Sequence, residues 1–412
     1  MDRQLINDAK AVLKTLTNKI PSSLIGIEKQ LFIGKDIIEK LPENQKMLLK
    51  NLVNHFLTNM RQLEASDIDM GGWASRRQVR LRIHGIKKPV PEFGSYEIEE
   101  SDILIQNLLM HTERERLYVN RNHDFSHTSV SSDGQTCRYR ADVYFDLESL
   151  ALNIRSINAQ VRPYDSFKFQ ASVTRVFSLV HTKEGLVLIT GITGSGKSST
   201  LDAIVDLNNR TTESHIIIIA SPVEFVHESK SCLIRHREVG RDTLSFKQGT
   251  IEALRQDPDI IIIGEMRDPD TIFAALEVAD SGHKVFSTLH TSSAVESIDR
   301  IIGEVVPGDQ ERVRLRLADI LRCVISQKLI PSLDGKRVLA KEVMLMIPSI
   351  KAAIKNNNTG EIYQMISEGS PYGMTTMEQD LKQLYLERKI SLESAFNYAN
   401  NKRRMQQILN PK

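Results

Sequence analysis

Four short, almost unbroken apolar runs, at 186–190, 216–220, 260–263 and 285–288, stand out from an otherwise mixed chain. Runs this brief and continuous predict strands buried on both faces, as in a parallel sheet covered by helices. Helix-competent stretches fall between them, so residues 171–347 read as an α/β core. Its last long helix is expected at 312–329, where Leu317, Ile320, Leu321, Val324 and Ile325 would share one face. Residues 1–62 carry helical spacing, clearest in Met47, Leu48, Leu49, Leu52, Val53, Phe56 and Leu57, with Pro21 and Pro42 as breaks. They predict a helical N-terminal extension. Between 63 and 157 the pattern becomes short alternations, such as Val79-Arg80-Leu81-Arg82-Ile83 and Arg138-Tyr139-Arg140-Ala141-Asp142-Val143-Tyr144, which predict a small α+β domain. Residues 158–170, with Pro163, read as a linker, and 348–412 as a polar helical C-terminal region punctuated by Gly373.

Composition narrows the function. A chain of 412 residues is too long for one ordinary core and should hold two or three domains. Fifty-four Lys plus Arg against 52 Asp plus Glu leave a formal charge of +2, without the basic excess of a nucleic-acid binder, so no direct nucleic-acid partner is expected. Cys137, Cys232 and Cys323 lie far apart with no CxxC pair, against a zinc site or a disulfide framework, and point to the cytosol. The apolar runs are too short for a transmembrane segment and the first residues too charged for a signal peptide, so membrane contact is expected only through partners.

The chemistry begins at Gly191-Ile192-Thr193-Gly194-Ser195-Gly196-Lys197-Ser198, which fits GxxxxGK[ST] between an apolar strand and a helix-competent run from Ser199. Gly191, Gly194 and Gly196 let backbone N–H groups turn toward phosphates, with Thr193, Ser195 and Ser199 completing the loop. Lys197 supplies a point charge at the β/γ oxygens, and the Ser198 hydroxyl can ligate Mg²⁺. ATP with Mg²⁺ is the expected ligand. Ile260-Ile261-Ile262-Ile263-Gly264-Glu265 ends a buried strand in a carboxylate, at the strand end where α/β sheets bind ligands; Glu265 is a candidate to polarise the attacking water.

Three further stretches carry a family resemblance: Leu254-Arg255-Gln256-Asp257-Pro258-Asp259-Ile260, Gly264-Glu265-Met266-Arg267-Asp268 and Ser287-Thr288-Leu289-His290-Thr291. They resemble the signature of secretion and pilus ATPases. Ser297-Ile298-Asp299-Arg300-Ile301-Ile302, Leu321-Arg322-Cys323-Val324-Ile325-Ser326-Gln327 (the family's LRxVxxQ helix) and Gly373-Met374-Thr375-Thr376-Met377 through Leu381 are most similar to the type IV pilus retraction ATPases, the PilT family. The likeness runs from about Ser66 to the C-terminus, leaving the extension outside. It implies an α/β fold with a RecA-like P-loop ATPase core and a PAS-like N-terminal domain, working as a homohexamer with an inner-membrane pilus or secretion platform protein as partner. It also implies roles: Glu265 as the Walker B carboxylate, His290 as γ-phosphate sensor, and Arg80, Arg82 and Arg140 as arginines that neutralise phosphate across a boundary. The tetracysteine zinc module of extension-type relatives is ruled out by the scattered cysteines. One departure stands out. The family's acidic box, IEDPIE, is here Ile219-Ala220-Ser221-Pro222-Val223-Glu224, two carboxylates poorer, which makes Glu224 a second candidate for placing the water. A type IV, Dot/Icm-like secretion ATPase and a nucleotide-gated ring with weak hydrolysis are the alternatives. Because the C-terminal match lies beyond the ATP motifs, residues after 348 are expected to couple the ring to its output while the core binds nucleotide without them.

Overall fold

The computed structural model describes residues 2–83, 85–130, 134, 136–157 and 160–409. His84 of the arginine motif, Asn158 and Ala159 of the expected linker, and residues 1 and 410–412 at the ends lie outside the described residues. The chain divides into two compact units, Met1–Ala159 and Gln160–Lys412.

In the first unit, helix α1 (Arg3–Thr17) is capped by the Asp2 carboxylate and buries Ile6, Ala9, Leu13 and Leu16, one stripe at three- and four-residue spacing. Helix α2 (Gly26–Phe32) runs on into a π-helical turn, Ile33–Ile38. Helix α3 (Glu43–Gln62) starts after Pro42 and buries Leu49, Leu52, Val53, Phe56, Leu57 and Met60. The extension is thus helical, and these side chains share one hydrophobic core with the sheet that follows. The sheet comprises β1 (Asp67–Gly71), β2 (Arg80–Ile83), β3 (Ile86–Pro89), β4 (Asn122–Val130), β5 (Thr136–Asp146) and β6 (Ser149–Ser156), in the order β3-β2-β1-β6-β5-β4, antiparallel throughout. Helices α4 (Ile98–Gln106) and α5 (His111–Asn120) lie between β3 and β4 in sequence. The extension is also docked by polar groups. Gln30 donates to Asp102 (2.6 Å) and accepts from Gln106 (2.7 Å), to which Tyr118 donates (2.7 Å). Burial pushes the Asp102 carboxyl up to about 6.

The second unit opens with α6 (Ala171–Phe177) and builds a seven-stranded sheet from β7 (Gly185–Thr190), β8 (His215–Ala220), β9 (Leu233–Glu238), β10 (Ile260–Ile263), β11 (Lys284–Leu289), β12 (Leu321–Pro331) and β13 (Arg337–Leu345). Its order is β13-β12-β7-β11-β10-β8-β9, parallel except for β13. The four apolar runs are the strands β7, β8, β10 and β11, as their continuity demands. Helices α7 (Lys197–Thr211), α8 (Phe246–Ala253), α9 (Pro269–Asp280), α10 (Ala294–Gly303) and α11 (Gln310–Ile320) connect the strands. A fully buried Lys284 at the start of β11 donates to the carbonyls of Val176 (2.6 Å) and Thr182 (2.7 Å), which fastens the segment leading into β7.

One expected element is corrected. The helix placed at 312–329 ends at Ile320, and residues 321–331 are strand β12, so the segment resembling an LRxVxxQ helix is extended. β12 is interior, flanked by β7 and β13, and Leu321, Cys323, Val324, Ile325, Ser326 and Gln327 are all buried. A strand buried on both faces shows no alternation, so its apolar run continued the helical stripe of α11 without a visible break.

The C-terminal helices α12 (Pro348–Lys355), α13 (Ile362–Glu368), α14 (Met377–Leu386), α15 (Leu392–Tyr398) and α16 (Lys402–Leu409) follow. Ile350, Ala353, Ile354, Ile362, Ile366 and Met374 belong to the same core cluster as β7, so chemistry and C-terminal region share their packing. A chain ending at residue 347 would expose the surface these six side chains cover, and calorimetry is expected to lose the second unit's cooperative transition while keeping that of the first unit, whose core is its own. A sharp second-unit transition within about 5 °C of the full chain's would mean the core stands without them.

Candidate active site

Parallel strands put their carboxyl ends on one edge, and the chemistry-bearing residues of the second unit collect there. β7 ends at Thr190 and the backbone turns at Gly191, with φ of +146°. A Cβ at 191 would lie 2.5 Å from the Gln327 carbonyl oxygen, within van der Waals overlap, and closer still to Ser195 Oγ. Gly194 and Gly196 also hold positive φ, +80° and +91°, but with open space or ordinary contact around a Cβ. Helix α7 begins at Lys197, so its N-terminus faces the loop. Lys197 Nζ donates to the carbonyls of Gly191 (2.7 Å) and Ile192 (3.2 Å), and burial pushes its pKa down to about 8. Thr193 and Ser198 are exposed, Ser199 half-buried, and Ser195 buried with an Oγ that has no hydrogen-bond partner. A recess that excludes a Cβ, an orphaned hydroxyl and a helix N-terminus beside a lysine fit a phosphate chain. Behind the loop, Gln327 on β12 donates from Nε2 to Thr200 Oγ1 on α7 (2.7 Å).

At the end of β10, Gly264 N donates to Ile219 O on β8 (2.8 Å), and Thr288 Oγ1 on β11 donates to Gly264 O (2.7 Å). The next residue, Glu265, is therefore pinned between its neighbours. Its carboxylate is held by Arg267, whose Nη2 donates to Oε2 at 2.9 Å and whose Nε contacts Oε1. His290 Nε2 lies 3.6 Å from Glu265 Oε2. The His290 pKa is lowered by burial first, then by the charges of Lys197, Arg267 and Arg300, which favours the neutral imidazole. Lys197, Glu265 and His290 are thus brought to one place.

The altered acidic box sits on the same edge. Ala220 ends β8, and its Cα would be 3.3 Å from a Cβ on Gly264, the residue before Glu265. Glu224 is half-buried on the loop that follows, and no hydrogen bond ties it to Lys197, Glu265 or His290 among the described residues. That loop is fastened elsewhere: Val223 N donates to Glu238 Oε2 (3.0 Å), and His227 Nε2 lies 3.0 Å from Asp202 Oδ1 on α7. Glu238, Asp202 and Arg267 were not singled out as site residues. Arg267 lies within a motif that carried the resemblance, but a motif does not say which of its members turns inward.

Arg80, Arg82 and Arg140 lie in the first unit, on the polar face of its sheet. Register lines up Arg82, Asp67, Arg155 and Arg140 across β2, β1, β6 and β5. The opposite face carries Leu81, Ile68, Ile154 and Ala141, all buried. Asp67 accepts from Arg155 Nε at 2.9 Å and lies 3.6 Å from Arg82 Nε, Arg140 faces Asp124 at 3.4 Å, and Arg80 Nε reaches Ser75 O at 3.4 Å. Arg155 is a fourth member of the arginine set, missed because Asn153-Ile154-Arg155 lacks a motif. Among the described residues no group of three or more His, Cys, Asp and Glu could hold a metal ion, and no helix is long and apolar enough to cross a membrane.

The family model for type II/IV secretion system proteins matches residues 42–408. The chain belongs to that family. The match begins ahead of Ser66 and takes in α3, leaving α1, α2 and the π turn outside. This secretion-family chain is 43% identical over 259 residues to the type IV pilus retraction ATPase PilT of Pseudomonas aeruginosa, covering 63% of this chain and 74% of that protein. It is 35% identical over 328 residues to a twitching motility protein of Neisseria gonorrhoeae, covering 79% and 85%. The solved structure of the pilus retraction motor PilT with bound ADP superposes with a TM-score of 0.76 at 35% identity, covering 86% of this chain and 98% of that one. The ATPase DotB of Legionella pneumophila, at 24% identity and a TM-score of 0.67 over 84% and 94% of the two chains, shares the fold.

The glycine geometry generates a test. Gly191→Ala should destabilise by about 2–4 kcal/mol, because backbone and side chain both block the added methyl, whereas Gly194→Ala should cost about 1 kcal/mol for its backbone conformation alone. Thermal unfolding of the two variants checks the order, and equal losses would contradict it.

Proposed function

We propose that this chain is an ATP-hydrolysing motor that works as a homohexameric ring in the cytoplasm and powers retraction of a type IV pilus. The observation that carries the reading is the convergence of Lys197, Glu265 and His290 at one strand edge, in a chain similar over most of its length to a pilus retraction ATPase. In this reading residues 171–347 form a RecA-like ATPase core, 63–157 a PAS-like domain, 1–62 a helical extension, 158–170 a linker and 348–412 a helical C-terminal region. Contact with the inner membrane runs through a pilus platform protein.

The residues divide the labour by position. Lys197, lowered by burial, regains a favoured cation when phosphate charge arrives in place of the loop carbonyls it now holds. Gly191, Thr193, Gly194, Ser195, Gly196 and Ser199 surround that charge with backbone N–H groups and hydroxyls. Ser198 would ligate Mg²⁺, which would supply neutralisation of the phosphate charge. Glu265 polarises the attacking water once Arg267 releases it, and His290, kept neutral, offers a ring nitrogen to the same place. Glu224 takes a share of water placement that the missing carboxylates at 220 and 221 leave open. Arg80, Arg82 and Arg140, with Arg155, present a cationic row that meets phosphate charge across a boundary in the ring.

Two variants separate the roles. Lys197→Ala should abolish nucleotide binding by the purified ring. Glu265→Gln should keep ATP bound while hydrolysis falls about a hundredfold or more, since one group meets the ground-state phosphate and the other the reacting water. In cells carrying Glu265→Gln, surface pili should be present and fail to retract. Full turnover by Glu265→Gln would move the chemistry to another group, and normal pilus dynamics with a lost secreted protein would replace retraction by secretion.

A further inference from the structure

Asn400 sits between α15 and α16 at the end of the C-terminal region, exposed and unused by the mechanism above. Its side chain nevertheless bridges two distant parts of the second unit. Nδ2 donates to Ser292 O (3.1 Å), two residues beyond His290, and Oδ1 accepts from Lys328 Nζ (2.6 Å). Lys328 can only donate and a carbonyl can only accept, so the two partners fix which way the amide points. Lys328 Nζ donates as well to Tyr398 O (2.7 Å).

The surroundings make this a built junction. Lys328 follows Gln327 on β12, and successive strand residues face opposite ways: Gln327 reaches Thr200 on the P-loop helix, and Lys328 reaches the C-terminal helices. Two fully buried carboxylates frame the lysine. Glu342 Oε1 accepts from Ala294 N (2.8 Å) at the start of α10, and Glu378 accepts from Asn401 N (2.7 Å) and Tyr363 OH (2.9 Å). Burial pushes Glu342 up to about 7, while both carboxylates work to keep Lys328 charged against its own burial. The loop from His290 to Ala294 is thereby held at His290 O by Arg300 (3.3 Å), at Ser292 N by Glu296 (2.7 Å), at Ser292 O by Asn400 and at Ala294 N by Glu342. Arg300 and Glu296 belong to the adjoining helix α10 and Glu342 to β13; among these four holds, Asn400 alone comes from the C-terminal helical region.

We propose that Asn400, braced by Lys328, is a positioning residue for His290 that ties the histidine loop to the C-terminal helices. The proposal rests on His290 acting in ATP turnover. A shift of the loop when His290 meets the γ-phosphate is carried through one side-chain amide to the helices α14–α16, and a displacement of those helices changes where His290 stands.

The test is steady-state ATP hydrolysis by the full chain with Asn400→Asp, Asn400→Ala, His290→Ala and the two double variants. Asn400→Asp keeps the acceptor for Lys328 and replaces the donor to Ser292 O by an oxygen that can only repel it, and Asn400→Ala removes both without adding charge. Both Asn400 variants should lower kcat about tenfold with little change in KM, as a misplaced group does, and an exposed position should leave Tm within about 2 °C. In the His290→Ala background neither should have any further effect, because there is no ring left to place. Wild-type kcat in Asn400→Asp, or losses that multiply in the double variants, would overturn the proposal. Wild-type turnover by His290→Ala would instead remove the reading of His290, and the positioning role with it.

Discussion

The two-sided burial of four short strands is the constraint on which the rest of the second unit depends. β7, β8, β10 and β11 have almost no polar surface to offer, so they lie side by side with helices on both faces. Parallel pairing then brings their carboxyl ends to one edge without any attraction among the residues placed there. Glycine is needed at 191 because the chain must turn between the Ser195 hydroxyl and the Gln327 carbonyl. Glu265 is fixed because the residue before it is bonded to β8 and β11 at once. The site is a consequence of packing, and its charges are arranged on a frame that hydrophobic burial has already set.

That frame accounts for what the sequence revealed. The four strands and the phosphate loop announced themselves, since a continuous apolar run followed by GxxxxGKS has few alternative structures. β12 did not, for a related reason: Leu321 to Gln327 is also buried on both faces, and it follows α11 directly, so the apolar stripe of a helix passed into the apolar run of a strand with no turn residue between. The misplaced helix matters for function. As a strand, the segment puts Gln327 against the P-loop helix and Lys328 against the C-terminal helices, a pairing of neighbours that a helix would not give.

Tertiary contacts explain the remaining differences. Gly264-Glu265-Met266-Arg267 was legible as a motif, yet only the fold places Arg267 over the Glu265 carboxylate. Arg80, Arg82 and Arg140 were legible as alternating strand residues, but Arg155 joins them only through the register of β1, β5 and β6. The C-terminal region read as a separate polar segment because its charged faces dominate its composition. Six of its buried side chains join the core of β7 and six more join a separate cluster with Ile330 and Ala340, a division that helical spacing alone does not show.

In the proposed function the site turns over ATP despite Ala220 and Ser221 in place of two carboxylates. In the proposed mechanism, fewer negative charges in the box would reduce the repulsion of bound phosphate, and Glu265 with His290 would act on water. Steady-state phosphate release by the purified chain with ATP and Mg²⁺ tests this most directly. Sustained release over many turnovers per subunit, lost on chelation of Mg²⁺, is expected of an ATP-driven motor. ATP that stays bound and intact, with release no faster than its spontaneous hydrolysis, would contradict it and leave a ring that nucleotide gates without driving.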